Sequence, residues 1–377
     1  MTDIRKLDPN FIAPSLNRPG LAWYNGRTAP FSLHGAYLPE SGEHFCRIPR
    51  ALAASLDPIT GELNDCTAGI RLRFCTDSPA IAVKATRPTG AGKMVHMPYT
   101  GSAGLDVYVN GVFAGLIQTQ YETPTVAEGL VTHACPGLVE VEINFPLYAP
   151  VGMVYIGLDE GARVLPPRPY RHTKPVVFYG SSITQGGCAG RPGLCYQAHL
   201  CRWLDTDYLN LGFSGHAWGE PALADYIASL DMSVFVMDYD HNAPNADHLR
   251  KTHAPLFRKV RNAHPTLPVV FVTKPDVHPE KPDSYRQDLE RRAVIYVTYQ
   301  QAVRDGDRNV YFLDGGTFYP DSLRDSCSVD GCHPNDLGFF FMAAGMEKVL
   351  APLLREPVAL RGGTLSSPCL PQGMENA

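Results

Sequence analysis

Apolar residues recur along this chain with two different periods, and the change from one to the other near residue 165 limits its architecture more than any other feature. Before the change, Ile70-Arg-Leu-Arg-Phe74, Ile81-Ala-Val-Lys84, Leu105-Asp-Val-Tyr-Val109 and Leu138-Val-Glu-Val-Glu-Ile-Asn144 alternate apolar with polar residues. A period of two puts alternate side chains on opposite faces, the mark of half-buried antiparallel strands. Asn110-Gly111 lies between two such runs. That pair accepts positive φ at both centres of a type I′ turn, so a hairpin is expected there. Residues 1–165 are therefore expected to form an all-β sandwich.

After the change, short and nearly continuous apolar runs at 175–179, 208–211, 234–237, 269–272 and 310–313 alternate with helical spacing at 222–230, 247–262, 284–304 and 337–354. Strands covered on both faces read this way. The alternation predicts a doubly wound α/β domain over 166–360, with its ligand site at the carboxyl ends of the strands. The segment 165–175 between the two textures carries four prolines and forms a stiff connector. Residues 361–377, rich in Gly, Ser and Pro, are expected to be a mobile C-terminal tail.

The polar ends of those strands carry the chemistry. Gly180-Ser-Ser-Ile-Thr-Gln-Gly186 follows the first of them, where a tight turn exposes the Ser182 hydroxyl. Far along the chain, Asp330-Gly-Cys-His333 places a carboxylate three residues before an imidazole, and Pro334-Asn335 opens the last helix with Asn335 as its N-cap. Together these are the parts of a nucleophile, a base and an orienting acid. Donors for an oxyanion are expected from Gly212-Phe-Ser-Gly-His216, through the Gly215 N–H, and from 238–245, through the Asn242 amide. Gly and Asn serve equally as plain turn residues.

This order of Gly-x-Ser, Gly, Asn and Asp-x-x-His, over about residues 174–355, resembles the SGNH hydrolase superfamily, also called GDSL esterases. The resemblance implies a flavodoxin-like sheet and a triad of Ser182, Asp330 and His333. It also implies an oxyanion hole formed by the Ser182 N–H, Gly215 and Asn242. Two positions depart from the pattern: Ser181 replaces the usual aspartate, and Asp240-His-Asn-Ala replaces the usual Gly-x-Asn-Asp, with Asn245 the second choice of asparagine. Those departures resemble one branch whose members carry an N-terminal sandwich with a Gly-x-Asp-Leu-Tyr motif. Here it reads Gly104-Leu-Asp-Val-Tyr108. The branch implies a jelly-roll-like accessory domain beside the active site, and it includes sugar O-acetyl esterases and small-molecule acyltransferases. The expected activity is hydrolysis of a small acyl ester, acetyl above all, of a carbohydrate or other small alcohol through an acyl-enzyme. The alternative is transfer of an acyl group from a thioester to a sugar or natural-product hydroxyl. Asp106 and Tyr108 themselves read as a buried carboxylate and phenol holding a hairpin together.

His216, Trp218, Tyr239 and His241 lie on the oxyanion loops and are the expected substrate contacts. His96 and Met97 join them from the long glycine-rich loop 86–99, which can reach across and cap the pocket. Neither His216 nor His241 has an evident aspartate to orient it, so neither is expected to be the base. Cys188 and Cys332 flank the nucleophile and the base in sequence.

Composition removes several other functions. A net charge of −5 without a basic run gives nothing to neutralise phosphates, so no nucleic-acid partner is expected. The ten cysteines form no C-x-x-C pair and suit reduced thiols better than a disulfide framework or structural zinc. No metal or organic cofactor is called for. The polar start of the chain lacks the apolar core of a secretory signal, and no run of about 18 apolar residues appears, so cytoplasmic residence and no membrane partner are expected. The partner is then a small-molecule ester or acyl donor, with the oligomeric state left open.

Overall fold

The computed structural model describes residues 16, 18–37, 44–277, 279 and 282–354. The expected tail, 361–377, lies outside the described residues. The N-terminal region contains β1 (Leu21–Asn25), β2 (Ser32–His34), α1 (Arg50–Leu56), α2 (Pro58–Asp65), β3 (Arg71–Thr76), β4 (Ala80–Thr86) and α3 (Tyr99–Ser102). It continues through β5 (Leu105–Val109), β6 (Val112–Ile117), β7 (Val126–Thr132), β8 (Val139–Asn144), β9 (Met153–Asp159) and β10 (Val164–Leu165). These strands build two antiparallel sheets, ordered β1-β9-β4-β7 and β10-β3-β8-β5-β6, with β2 on the far side of β3. Leu72, Phe74, Val107, Val141 and Ile143 from one sheet meet Ile81, Val83, Val154 and Ile156 from the other. Each such side chain, fully buried, contributes about 1.5–3 kcal/mol. The β5–β6 hairpin turns at Asn110 and Gly111, with φ of 50° and 78° as a type I′ turn requires.

The alternation in β3 has a different cause from the expected one. Arg71 and Arg73 do not face water: they are 0% and 3% exposed. Arg71 donates to Tyr170 Oη at 2.9 Å and pairs with Asp207, so the polar face of the strand is the interface with the second half of the chain. Helices α1 and α2, which period-two reading does not signal, also serve that interface, for Ala53 of α1 and Leu63 of α2, with Ile48 just before them, pack against the α/β core beside Leu211, Phe213 and Ile227.

The expected connector 165–175 is shorter in the structure, its last four residues belonging to β11 (His172–Gly180), which is followed by α4 (Ser182–Gln185), α5 (Tyr196–Leu204), β12 (Thr206–Gly212), α6 (Pro221–Ser229) and β13 (Val234–Asp238). They are followed by α7 (Ala246–Ala263), β14 (Val269–Val272), α8 (Pro282–Arg304), β15 (Val310–Leu313) and α9 (Asp336–Leu354). The sheet is parallel throughout, ordered β12-β11-β13-β14-β15. Strand β11 alternates between two cores, sending Val177 and Tyr179 to one face and Val176 and Phe178 to the other. Helix α9 is long and apolar enough to cross a membrane by length and composition, and here its Phe339, Met342, Met346 and Leu350 fill the second core.

The strand order reverses at β11, whose neighbours β12 and β13 carry the chain away to opposite sides. In register, Gly180 pairs with Gly212 on one side and Asp238 on the other. Three loops therefore start from one level of the sheet, at the switch point where α/β folds bind ligands.

Candidate active site

The turn after β11 is set by close packing. A Cβ on Gly180 would lie 2.0 Å from Thr184 Oγ1 and 2.1 Å from the Asp238 carbonyl oxygen, so only glycine fits. Ser181 then caps α4, its Oγ accepting the Ile183 N–H at 3.1 Å. Ser182 is the first residue of α4. Its N–H has no partner within the helix and is available to an oxyanion.

Ser182 Oγ lies 2.9 Å from His333 Nε2, and His333 Nδ1 lies 2.8 Å from Asp330 Oδ2. The other Asp330 oxygen accepts the backbone N–H groups of Cys332 at 2.9 Å and His333 at 2.8 Å. Burial pushes the Asp330 carboxyl up, but the His333 N–H and ring together outweigh it and bring it down to about 2. Ionised, it fixes the proton on Nδ1 and leaves the Nε2 lone pair for the serine hydroxyl. Asn335 caps α9 as expected, accepting the Leu337 and Gly338 N–H groups at 3.1 Å and anchoring the loop that presents His333.

A second relay stands beside the first. His241 Nδ1 lies 2.8 Å from Asp240 Oδ1, and His241 Nε2 is hydrogen-bonded to Ser181 Oγ. Asp240 is 2% exposed, and its other oxygen accepts the Lys274 N–H at 3.0 Å. Burial works against its charge, yet its bonds to His241 and Lys274 hold the carboxyl below its ordinary value. With Asp240 ionised, Nδ1 carries the proton and Nε2 accepts from Ser181, whose Oγ in turn accepts from Ile183. His241 does have an orienting aspartate, contrary to expectation. Ser181 is fully buried. Its hydroxyl is committed on both sides, so this relay holds a turn and has no nucleophile to offer.

Both proposed oxyanion loops are tied to residues flanking Ser182. The Ser181–His241 bond tethers the loop bearing Asn242. Gln185 Oε1 accepts the Ser214 N–H at 3.0 Å and tethers the loop bearing Gly215, where φ is 73°. Asn242 Oδ1 accepts the Ala217 N–H at 3.4 Å, which joins the two loops and leaves the amide Nδ2 as donor.

Residues 173–351 match the GDSL-like lipase/acylhydrolase family. Residues 21–164 match the GxDLY domain, described as the N-terminus of SGNH-hydrolase-type esterases. The chain belongs to the SGNH/GDSL hydrolases. Among solved structures, a putative GDSL-like lipase from Bacteroides ovatus is similar at 24% identity and TM-score 0.79, over 89% of this chain and 98% of that one. A salicylyl-acyltransferase from a tetracycline biosynthetic pathway is similar at 22% identity and TM-score 0.72, over 89% and 98%. A family two carbohydrate esterase from Cellvibrio japonicus is similar at 13% identity and TM-score 0.58, over 88% and 98%. At these identities the likeness concerns the fold. No curated protein matches the chain significantly.

Within this SGNH enzyme, the remaining expected contacts divide. Tyr239 is a correction: it is 1% exposed, packed on Tyr179 and His253, with its hydroxyl on Thr252. The ring faces inward because Tyr239 directly follows a strand whose alternate residues, such as Met237, face that core. Trp218 stacks on His216 and donates Nε1–H to the Gly215 carbonyl at 3.0 Å. His216 Nδ1 is 3.0 Å from the Ser214 carbonyl, and Nε2 faces Asp57 at 3.9 Å, so its polar contacts brace its own loop and α2. His96 and Met97 come from the sandwich. The His96 ring lies 5.5 Å from that of His333, and Met97 is buried near Gly187.

The Asp-x-Tyr pair also has another role than the expected hairpin. Asp106 is fully buried and accepts the Gly193 N–H at 2.8 Å and Arg191 Nη1 at 3.2 Å. Tyr108 Oη accepts from the same Arg191 nitrogen at 2.6 Å. The motif therefore clamps the sandwich onto the segment between α4 and α5. Gly101 belongs to the same seam, for a Cβ there would lie 1.9 Å from the Ala189 carbonyl oxygen. Cys188 lies in that segment, and burial together with nearby Asp330 pushes its thiol up to about 12. Cys332 is also pushed up, chiefly by burial. Every cysteine among the described residues is free.

Proposed function

We propose that this enzyme is a serine esterase that removes a small acyl group, acetyl above all, from a carbohydrate or another small alcohol. The observation that carries the reading is the continuous line Ser182–His333–Asp330 at the switch point, with two donor loops tethered to the residues on either side of the serine. Ser182 Oγ adds to the ester carbonyl as its proton passes to His333 Nε2. The carbonyl electron pair moves onto oxygen, where the Ser182 and Gly215 N–H groups and Asn242 Nδ2 receive it. Collapse expels the alcohol, which takes the proton from His333. Water then repeats the sequence on the acyl-enzyme, and Ser182 regains its proton. Support for a short acyl group comes from Met97 and His96, which bring the sandwich close over the base and nucleophile turn. Support for a sugar alcohol comes from the fold shared with the carbohydrate esterase.

Acyl transfer is the second reading. It is favoured by that same cover from the sandwich, since a site that limits water lets an acyl-enzyme wait for an acceptor, and by the fold shared with the salicylyl-acyltransferase. Rates on acetylated sugars and aryl acetates, with and without free sugar alcohols, separate the two: hydrolysis predicts free acetate, and transfer predicts acylated acceptor. In either case Asn242→Ala is expected to lower kcat by about 10²–10³-fold, the usual loss for one oxyanion donor. A kcat within about twofold of wild type would remove Asn242 from the hole.

A further inference from the structure

His96, Cys188 and His333 come from three separated parts of the chain, yet one donor atom from each lies within 4.8 Å of the other two. One is a sandwich residue, one follows α4, and one is the triad histidine. Tetrahedral zinc with nitrogen at about 2.0–2.1 Å and sulfur at about 2.3 Å needs these atoms about 3.3–3.7 Å apart, within reach of side-chain rotation. Cys188 has φ 74°, a left-handed conformation that costs a non-glycine residue energy and gathers at functional sites. Its side chain is aimed at two imidazoles from that strained position.

We propose that His96, Cys188 and His333 bind a borderline-soft divalent cation, Zn2+ foremost, and that its occupancy switches the enzyme off by occupying the base. Two imidazoles and a thiolate select this class over Mg2+ or Ca2+, which take oxygen ligands. As the metal–sulfur bond forms, the thiol proton leaves to solvent. If the cation takes Nε2 of His333, the Ser182 hydroxyl loses its acceptor, and Asp330 on Nδ1 becomes the outer carboxylate that commonly supports a ligating histidine. Three protein ligands leave the fourth position to water. Because His96 belongs to the sandwich, the cation also bridges the two parts of the molecule. The inhibition rests on His333 being the base, whereas the binding does not.

The test is a Co2+ titration of the Ser182→Ala protein, followed by optical absorption, beside Zn2+ inhibition of ester hydrolysis by the intact enzyme. The expected spectrum has a thiolate-to-metal charge-transfer band and the intense visible bands of four-coordinate Co2+. Adding Cys188→Gly, which suits the positive φ, removes the charge-transfer band, and His96→Ala weakens binding by at least about tenfold. Zn2+ inhibition, measured against each variant's own metal-free rate and reversed by a chelator, weakens by similar factors. Absence of the charge-transfer band, or equal inhibition of wild type and both variants, overturns the site. The full spectrum without inhibition would leave the site standing and contradict the role given to His333.

Discussion

Two serines stand side by side after β11, and their surroundings give them different work. Ser182 meets a histidine whose far nitrogen holds Asp330, at the mouth of the sheet. Ser181, fully enclosed, meets a histidine whose far nitrogen holds Asp240. The usual family aspartate is absent from position 181, and the buried carboxylate arrives instead from the end of β13 by way of His241. His241→Ala is expected to loosen the Asn242 loop and lower kcat by about ten- to a hundredfold with little change in KM, since the loss falls on transition-state placement. A rise in KM at unchanged kcat would instead make His241 a substrate contact. Asp238, beneath the same turn, gives a pH effect. It is fully buried, its Oδ2 accepts Thr184 and Tyr196, and its Oδ1 has no partner among the described residues. Burial, with Asp240 adding and His241 opposing, raises it from 3.8 to about 7. Folded protein therefore keeps a proton that the unfolded chain has lost between those values. This contribution to stability is complete below about pH 4 and disappears as pH rises through about 7, on the order of a few kcal/mol. Urea midpoints of Asp238→Asn should decline less than wild type from pH 4 to 8, and parallel curves would contradict the account. The Asp330–His333 pair is legible in the sequence because the two residues sit three apart in one loop. The second relay could not, because adjacent residues on a regular element do not face one another. The 3₁₀ turn Asp240–Asn242 brings that pair together.

Elements buried on both sides were the easiest to read. Strands β14 and β15 fall on 269–272 and 310–313, because near-continuous apolar runs between helical spacings have few other solutions. Helices α1 and α2 leave little trace in the sequence, because short helices carry little periodicity. Their one clear signal is Asp57-Pro58, where the carboxylate accepts the Ile59 and Thr60 N–H groups and proline fills the first helical position. Alternating arginines in β3 carry no local sign of the partner surface that covers them. The β5 motif likewise reads as part of its own hairpin, since no local pattern reports Arg191 or Gly193 across the seam. Asp106→Ala is expected to cost about 3–5 kcal/mol in urea unfolding, because it strands Arg191 and a buried N–H. Asp106→Asn should cost less. A loss below about 1 kcal/mol for the alanine variant would show that the clamp is dispensable.

At the scale of the whole molecule the active site is composite. The α/β sheet supplies the proposed nucleophile, base and donor loops, while the sandwich adds Tyr148, whose hydroxyl donates to the Ser182 carbonyl at 3.3 Å, and the His96–Met97 cover. Thr100 Oγ1 donates to the Gly190 carbonyl at 2.6 Å, and the Gly190 N–H donates to Asp336 at 2.6 Å. The segment after α4 therefore links the sandwich to the start of α9, three residues beyond the base. Fold class followed from the two periodicities, but the docking that shapes the pocket depends on contacts far apart in sequence. The most direct measurement is rapid-quench intact-protein mass spectrometry during turnover of a short aryl ester, with peptide mapping of the adduct. The account predicts a burst of singly acylated enzyme with the acyl group on Ser182, lost entirely in Ser182→Ala and retained in Ser181→Ala. An adduct on Ser181, or one that survives Ser182→Ala, would contradict it.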